Sequence, residues 1–277
     1  MRHKSNILPR MVFYIILILI TAIFLFPVYM IFVSSLKTQM EIFTSPFSLP
    51  KSVEFSNYIR AWERIDFDRV LLNSLIMTAV PIIGLIIFGS MAAYVCARNR
   101  SKIVNILFAM FVSCIIVPFH TAMTPLVKFM STLKLSDKLI GVIIVYIAVN
   151  MSFTVFLYTG FIRSTSVELE EAAIVDGCSR MGIFWRIIFP LVTPITATVA
   201  ILNSLNIWND FLIPLLLISS PSKRNIPNAL FAFQGQYNNK WDMAFAALIL
   251  SIIPIVIFYV LLQKRIIKGI AQGSIKG

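Results

Sequence analysis

Six long stretches without a charged residue dominate this sequence of 277 residues. Each holds 21 or more residues, and they are Met11–Val33, Leu71–Ala97, Ile103–Val127, Leu139–Ile162, Ile187–Asn209 and Met243–Gln263. About 20 apolar residues span the hydrocarbon core of a bilayer as a helix. Because backbone groups in lipid must hydrogen-bond within their own segment, six transmembrane helices are the most economical interpretation. The sequence therefore predicts an all-α membrane protein.

The remaining composition excludes several classes of protein. A chain with 58% hydrophobic and 13% charged residues is not a soluble globular protein. The cysteines are odd in number (Cys96, Cys114 and Cys178) and lie in or beside predicted helices, so no disulfide framework is expected. The two histidines, His3 and His120, are far apart, and no metal site is expected. The net charge of +12 is spread over the flanks of the apolar stretches, which favours membrane lipid over nucleic acid as a partner.

The charged flanks predict the orientation in the membrane. The segments on one side of the six spans hold 13 Lys and Arg and those on the other side 11, and the informative cations lie at span ends, in the short turn Arg98–Lys102 and at Lys264 and Arg265. By the positive-inside rule these segments face the cytoplasm, and six spans then place both termini there. The first apolar stretch is too long for a signal-peptide core and is expected to remain as a helix. The predicted organisation is a cytoplasmic flank (1–10), a six-helix membrane domain (11–263) and a cytoplasmic tail (264–277).

One stretch between the predicted fourth and fifth spans, Glu168–Pro194, carries charge at helical spacing. Thr165 and Glu168 match a T-x-x-E capping box, and acidic residues fill the first turns, where the helix dipole favours them. Asp176-Gly177 is a helix stop, because glycine adopts the left-handed cap without a Cβ penalty. Ser179 is then expected to cap a second helix. That helix would present one face formed by Met181, Phe184, Trp185 and Ile188, with Arg180 and Arg186 beside it.

The spacing in this stretch resembles the EAA loop of ABC importer permeases. It reads Glu171-Ala172-Ala173, three residues, Gly177, nine residues, Ile187, one residue, Phe189-Pro190. Phe189 stands where leucine is usual in the family, and Ser166 where many members have proline. The resemblance implies a type I importer permease fold whose cytoplasmic loop, 164–190, docks on an ATPase subunit. The residues it assigns to this coupling are Glu168, Glu171, Ala172, Ala173, Asp176, Gly177, Phe184 and Arg186. Without the resemblance, the same pattern also fits an ordinary interfacial helical hairpin.

The predicted fifth span is the most polar. Asn203, Asn206 and Asp210 follow at steps of three and four residues and share one helix face, with Trp208 and Asn209 beside it and Pro214 one turn further on. A carboxylate costs about 2.5–3.5 kcal/mol at the centre of a membrane helix, so Asp210 should face protein or water. Two interpretations stay open here. The stripe lines a path for a polar substrate, or it forms a hydrogen-bond network between helices.

Prolines in the third apolar stretch predict an irregularity near its outer end. Pro118 and Pro125 flank His120, and proline removes a backbone donor from a helix. The result is either a bend that shapes a cavity mouth or a frayed helix end.

Three further matches narrow the resemblance to the carbohydrate, maltose-type branch of the family. They are Trp208–Phe211 (WNDF), the glycine- and lysine-bearing tail from Lys268 to Gly277, and the outer-loop run Gln234, Gly235, Gln236 and Tyr237. In that branch the outer loop reaches towards an extracytoplasmic sugar-binding protein. A surface turn without ligand contact is the alternative for this run. The resemblance also implies a second homologous permease and two ATPase subunits in the bacterial cell membrane. ATP and magnesium would then bind to the ATPase and no cofactor to this chain.

Competing functions make different demands on the sequence. The chain lacks the G-x-x-x-x-G-K-[ST] motif of a P-loop and any catalytic set in one place, so an enzyme is not predicted. A secondary transporter or channel needs several intramembrane carboxylates or broken midplane helices, whereas Asp210 stands alone. A structural membrane subunit would not need the spaced cytoplasmic hairpin. An ABC permease for polyamines, peptides or amino acids remains the main alternative to a sugar permease, and a polyamine path should be richer in carboxylates.

Overall fold

The structure, a computed structural model, describes residues 7–233 and 240–274. All regular secondary structure in these two ranges is helical. The first helices are α1 (Ile7–Ser35), α2 (Gln39–Thr44), α3 (Ser56–Ile65), α4 (Phe67–Gly84), α5 (Ser90–Arg98), α6 (Lys102–Ile116), α7 (Phe119–Thr132) and α8 (Leu139–Arg163). They are followed by α9 (Glu168–Val175), α10 (Arg180–Ile183), α11 (Phe189–Leu191), α12 (Thr193–Asn209), α13 (Leu212–Leu217), α14 (Ile226–Ala229) and α15 (Trp241–Ser274). π-Helical turns at Leu85–Gly89 and Phe184–Ile188 join α4 to α5 and α10 to α11.

Within residues 7–233 and 240–274, three uninterrupted helices are long and apolar enough to cross a membrane: Arg10–Ser35, Phe67–Arg98 and Leu139–Arg163. Two further candidates are bent pairs, α6 with α7 at 105° and the segment Arg180–Leu191 with α12 at 74°. Counting each pair as one span makes five, and Trp241–Ile257 is a shorter apolar helix. The first, second and fourth predicted spans are therefore single helices. The predicted total of six stays a prediction.

Proline chemistry accounts for both bends. Val117 and Pro118 adopt extended backbone between α6 and α7, because the ring of a proline drives the preceding residue out of the helical region. Pro125 lies inside α7 without interrupting it. At the second bend Val192 ends the preceding helix, and Pro194 lies in the first turn of α12. Proline is tolerated there because backbone N–H groups in the first turn have no hydrogen-bond acceptor within the helix. The fifth predicted span, expected to be continuous from Ile187, begins instead at Thr193.

The chain divides into two compact units. The first comprises the residues up to Phe67 with Leu230–Pro254, and the second comprises Asp68–Ala229 with the chain from Ile255 onward. In the first unit Lys37 is fully buried, and its ammonium group donates to the carbonyls of Ser45 and Pro46, both at 2.9 Å. A buried ammonium is tolerated because these carbonyls replace its water. The loop after α1 is thereby closed on itself.

The second unit is built on α8, which packs along α5, α6 and α12. Tyr158 and Ile162 of α8 are fully buried in a cluster with Phe184 and Ile188. Close approach of the helices requires glycine at position 89, where an added Cβ would lie 2.5 Å from Cγ2 of Thr154. This core fixes the segment that follows α8.

Candidate functional site

A buried ion pair holds the inner face of α9. The Arg98 guanidinium donates through Nε to Oε1 of Glu170 at 2.7 Å, and the Tyr94 hydroxyl donates to Oε2 at 2.8 Å. Glu170 and Ala173, three residues apart on one face of α9, are both buried. A buried carboxylate is stable only when it is paired and hydrogen-bonded, and here both of its oxygens have a donor. The helix is thereby fastened to the end of α5.

The same arginine also holds the start of the loop. Arg98 Nη2 donates to the Thr165 carbonyl at 3.2 Å and to Thr165 Oγ1 at 2.7 Å. The predicted capping box at Thr165 and Glu168 is wrong: α9 is preceded by Val167, which makes no side-chain cap, and the Glu168 N–H donates to Ser166 Oγ instead. Thr165 accepts from Arg98, so its hydroxyl serves as an anchor to α5.

The stop at Gly177 is confirmed in detail. Gly177 has φ +79°, and its N–H donates to the Ile174 carbonyl at 3.0 Å while the Cys178 N–H donates to Ala173 at 2.9 Å. These two bonds form the Schellman motif, which satisfies carbonyls at a helix C-terminus. Ser179 then caps the next helix as predicted, since its Oγ accepts from the Gly182 N–H at 3.2 Å. The turn between the two helices is rigidly specified.

The second helix buries only part of the face formed by the four predicted residues. Phe184 and Ile188 are buried as expected, but Met181 and Trp185 are 54% and 39% exposed, and Ile183 is buried in their place. The π-helical turn at Phe184–Ile188 adds a residue per turn and rotates the face that follows. Of the four residues on the predicted face, Phe184 and Ile188 are therefore buried and Met181 and Trp185 lie at the surface.

The residues assigned to coupling by resemblance fall into two groups. Ala173 and Phe184 are buried in the core of the second unit. The others are exposed: Glu168, Glu171, Ala172, Asp176, Gly177 and Arg186. Apolar side chains share the exposed surface of α9, and Val175 is 87% exposed. A rigid helix that presents apolar and acidic groups outward has the composition of a protein-binding surface.

The polar residues of α12 also separate into two groups. Asn203 is buried and donates to Thr154 Oγ1 at 3.3 Å and to the Val199 carbonyl at 2.8 Å. Asn206 is exposed, although its amide donates to Asn150 Oδ1 at 2.9 Å. Asn203 thus takes part in a helix–helix network, while Asn206 retains a face directed away from the core.

Asp210 ends α12 and caps the next helix. Its carboxylate accepts from the backbone N–H groups of Leu212 and Ile213, both at 3.1 Å, and from the Tyr146 hydroxyl at 2.9 Å. The expectation that Pro214 continues the same helix face is wrong, because the chain turns at Asp210 and Pro214 lies in the separate helix α13. All these donors belong to the second unit, so Asp210 has a structural function there.

The outer face of α12 carries the remaining polar groups. Asn209, like Asn206, is exposed, and Trp208 between them is half-buried. Leu202 and Leu205 complete this exposed face at helical spacing. The outer-loop residues Gln234, Gly235, Gln236 and Tyr237 lie outside the described residues.

Comparison with known proteins identifies the molecule. Residues 85–272 match the family described as "Binding-protein-dependent transport system inner membrane component". The chain belongs to this family. The permease is 36% identical over 252 residues to the melibiose/raffinose/stachyose import permease protein MelC of Bacillus subtilis (strain 168), covering 91% of each chain. It is 35% identical over 270 residues to the multiple sugar-binding transport system permease protein MsmG of Streptococcus mutans, covering 95% of this chain and 96% of that one.

A solved structure supports the fold of the permease. A chain from a bacterial ABC transporter involved in the import of the acidic polysaccharide alginate aligns with a TM-score of 0.83 over 95% of this chain and 98% of that chain. At 22% identity this likeness establishes the fold alone. The predicted type I importer permease fold is confirmed, and the permease is a membrane component of a transport system.

Sequence reasoning missed the residues that anchor the loop of the permease. In the sequence, Arg98 is one of several cations at a span end, and Glu170 is one of three acidic residues in the first turns of α9. One signal could have found Glu170: its spacing of three residues from Ala173 places both on one helix face. No spacing links Arg98 to it, because 71 residues separate the two in the chain.

Proposed function

We propose that this permease imports a sugar, an oligosaccharide of the raffinose or multiple-sugar type, using ATP hydrolysed on separate subunits. The full-length similarity to permeases named for melibiose, raffinose, stachyose and multiple sugars supports this substrate class. The chain itself would be non-catalytic. It would form the translocation path together with a second, homologous permease, on two ATPase subunits.

The observation that carries the coupling proposal is the two-sided character of α9. Its inner face is fixed by the buried Arg98–Glu170 pair, and its outer face exposes acidic and apolar side chains. We propose that the exposed residues Glu168, Glu171, Ala172, Asp176, Gly177 and Arg186 dock on the ATPase. Ala173 and Phe184 would then contribute indirectly, because their burial in the hydrophobic core holds the loop in position.

Transmission through this loop requires stiffness. Inverting a two-state population from 1:99 to 99:1 needs about 5.5 kcal/mol of differential binding. Closure of the ATPase dimer would move α9 and rotate α8 and α12, which flank the loop. A cavity open to the cytoplasm would then open to the outside, where a loaded binding protein releases the sugar. The Schellman turn and the buried ion pair supply two rigid points along this route.

The sugar path is proposed to use the exposed face of α12. Asn206 and Asn209, with Trp208 beside them, offer amide and indole groups that suit sugar hydroxyls and rings. Asn203 and Asp210 would position the helix through their internal hydrogen bonds. Gln234, Gly235, Gln236 and Tyr237 are proposed to contact the extracytoplasmic sugar-binding protein.

The proposed topology places both termini and the coupling loop in the cytoplasm of a bacterial cell. A variant that keeps Cys178 as its sole thiol, with Cys96 and Cys114 changed to serine, tests this. A membrane-impermeant maleimide should label Cys178 in inside-out vesicles and not in intact cells. Labelling of Cys178 in intact cells only would exclude docking on a cytoplasmic ATPase.

The function itself is tested by co-purification and uptake. The permease should co-purify with an ATPase subunit, and membranes containing the whole importer should take up labelled raffinose or a related oligosaccharide when ATP is supplied. Gly177→Pro should insert normally and abolish ATP-driven uptake, because proline cannot adopt a positive φ. Full uptake by this variant would contradict the coupling assignment. Uptake of amino acids or polyamines in place of every sugar tested would contradict the substrate class.

A further inference from the structure

A cavity of about 770 Å³ lies beside the C-terminal end of α5. Met91, Tyr94, Val95 and Arg98 of α5 line it, together with Ile174 and Arg180 of the loop 164–190. The cavity belongs entirely to the second unit and does not include the polar face of α12. Its lining therefore differs in place and in character from the proposed sugar path.

The charges around the cavity do not balance. Arg98, Arg100 and Arg180 all line it, and Arg98 is paired with Glu170. Within residues 7–233 and 240–274, neither Arg100 nor Arg180 is paired with a carboxylate, and both are exposed. Two uncompensated guanidinium groups at one cavity favour an anion, and guanidinium geometry suits the oxygens of a phosphate.

The apolar wall adds a second requirement. Met91, Val95 and Arg98 follow at steps of four and three residues, so they lie along one face of α5. Seven residues of helix correspond to roughly 10 Å along the axis. Because α5 is part of the candidate span Phe67–Arg98, this wall extends from the polar end of the span into its apolar interior. The ligand must therefore be amphiphilic.

We propose that this cavity binds an anionic phospholipid. The phosphate lies between Arg100 and Arg180, and an acyl chain lies along Val95 and Met91. Basic pockets between membrane helices on the cytoplasmic side favour anionic headgroups in this way. A soluble ATPase subunit cannot reach the apolar depth of a span, and free phosphate would leave the apolar wall without an occupant. The excess of cations in the whole chain, +12, agrees with a negatively charged membrane surface.

The test measures lipid retention by the intact importer complex in detergent, using native mass spectrometry. Phosphatidylglycerol, phosphatidylcholine and inorganic phosphate are titrated separately. Wild type should retain phosphatidylglycerol and lose phosphatidylcholine. Two cations that each contribute roughly five-fold in affinity predict roughly 25-fold weaker retention in the double variant Arg100→Gln/Arg180→Gln. Lys102→Gln is the matched control, because Lys102 is exposed two residues beyond Arg100 and does not line the cavity.

A second variant separates the lipid from a free anion. Val95→Trp keeps both arginines and fills the space along the apolar wall, so it should weaken phosphatidylglycerol retention. If the double variant fails to assemble, this variant alone tests whether the cavity binds the lipid. Equal retention of both lipids, or unchanged retention in both variants, would overturn the proposal. Complete displacement by inorganic phosphate would assign an anion site in place of a lipid site. Retention is measured without transport, so its outcome is independent of which solute the permease imports.

Discussion

Replacing Glu170 with alanine should destabilise the permease strongly, because it leaves the Arg98 guanidinium buried without its counter-ion. The Arg98 side chain is 16% exposed and the Glu170 side chain 7%, so water screens the ion pair little. Removing one partner of a buried ion pair costs about 3–5 kcal/mol. The Tyr94 hydroxyl loses its acceptor in the same variant. At about 2–4 °C per kcal/mol for a chain of this size, the midpoint of thermal unfolding should fall by roughly 10 °C.

A double variant separates the pair from its surroundings. Arg98→Met with Glu170→Leu removes both charges and keeps apolar volume in the same space. Replacing a buried ion pair by apolar groups is often neutral. The double variant also loses the Arg98 bonds to Thr165 and the acceptor of Tyr94, so it should recover most of the lost stability and remain a little below wild type. The assay is loss of monodisperse complex on heating, followed by size-exclusion chromatography. Uptake per ATP hydrolysed is measured on the same samples, and the single variant should hydrolyse ATP with little transport.

Glu168→Ala is the matched stability control. Glu168 lies two residues away on the same helix and is exposed, so its removal should change the free energy of unfolding by no more than about 0.5 kcal/mol. The reasoning would be refuted if Glu170→Ala unfolded at the temperature of this control. It would also be refuted if the double variant were as unstable as the single one, since the loss would then come from packing and not from the unpaired charge.

Three further predictions concern backbone, packing and pH. Gly177→Ala should lower the free energy of unfolding by about 1–2 kcal/mol, because a φ of +79° is unfavourable for a residue with a Cβ. The added Cβ itself would meet nothing within 4 Å. Gly160→Ala is the control: it also lies in open space, on a regular helix, and should be neutral or stabilising. Gly89→Ala should cost about 1–3 kcal/mol by overpacking, and Thr154→Ser, which removes the obstructing Cγ2, should restore most of it in the same assay. Hydrogen bonds from the Ser220 hydroxyl, the Ser220 backbone N–H and the Lys223 ammonium group hold the pKa of the Asp137 carboxyl well below its usual range. The stabilisation from the Asp137 carboxylate is therefore complete above about pH 4 and is lost as the pH falls below that value. In Asp137→Asn the free energy of unfolding should depend less on pH below about pH 4. An unchanged pH profile would contradict the assignment.

The sequence alone determined the class of the protein and the local geometry of its loop. Uncharged stretches longer than a bilayer is thick predict membrane helices, because unsatisfied backbone groups are too costly in lipid. The stop at Gly177 and the cap at Ser179 were equally predictable, since each depends on one residue and the few peptide groups next to it. Information of this kind is local, and it survives without knowledge of the fold.

Tertiary structure decided which polar residues face inward. Glu170 and Glu168 are both acidic residues of the first turn, and only the approach of α5 makes one buried and leaves the other exposed. Asp210 likewise belongs to the predicted polar stripe. In the structure the chain turns at Asp210, and its carboxylate accepts hydrogen bonds from Tyr146 and from N–H groups of α13. Pairing between residues distant in the chain depends on how helices pack, and helical periodicity specifies a face without specifying what lies against it.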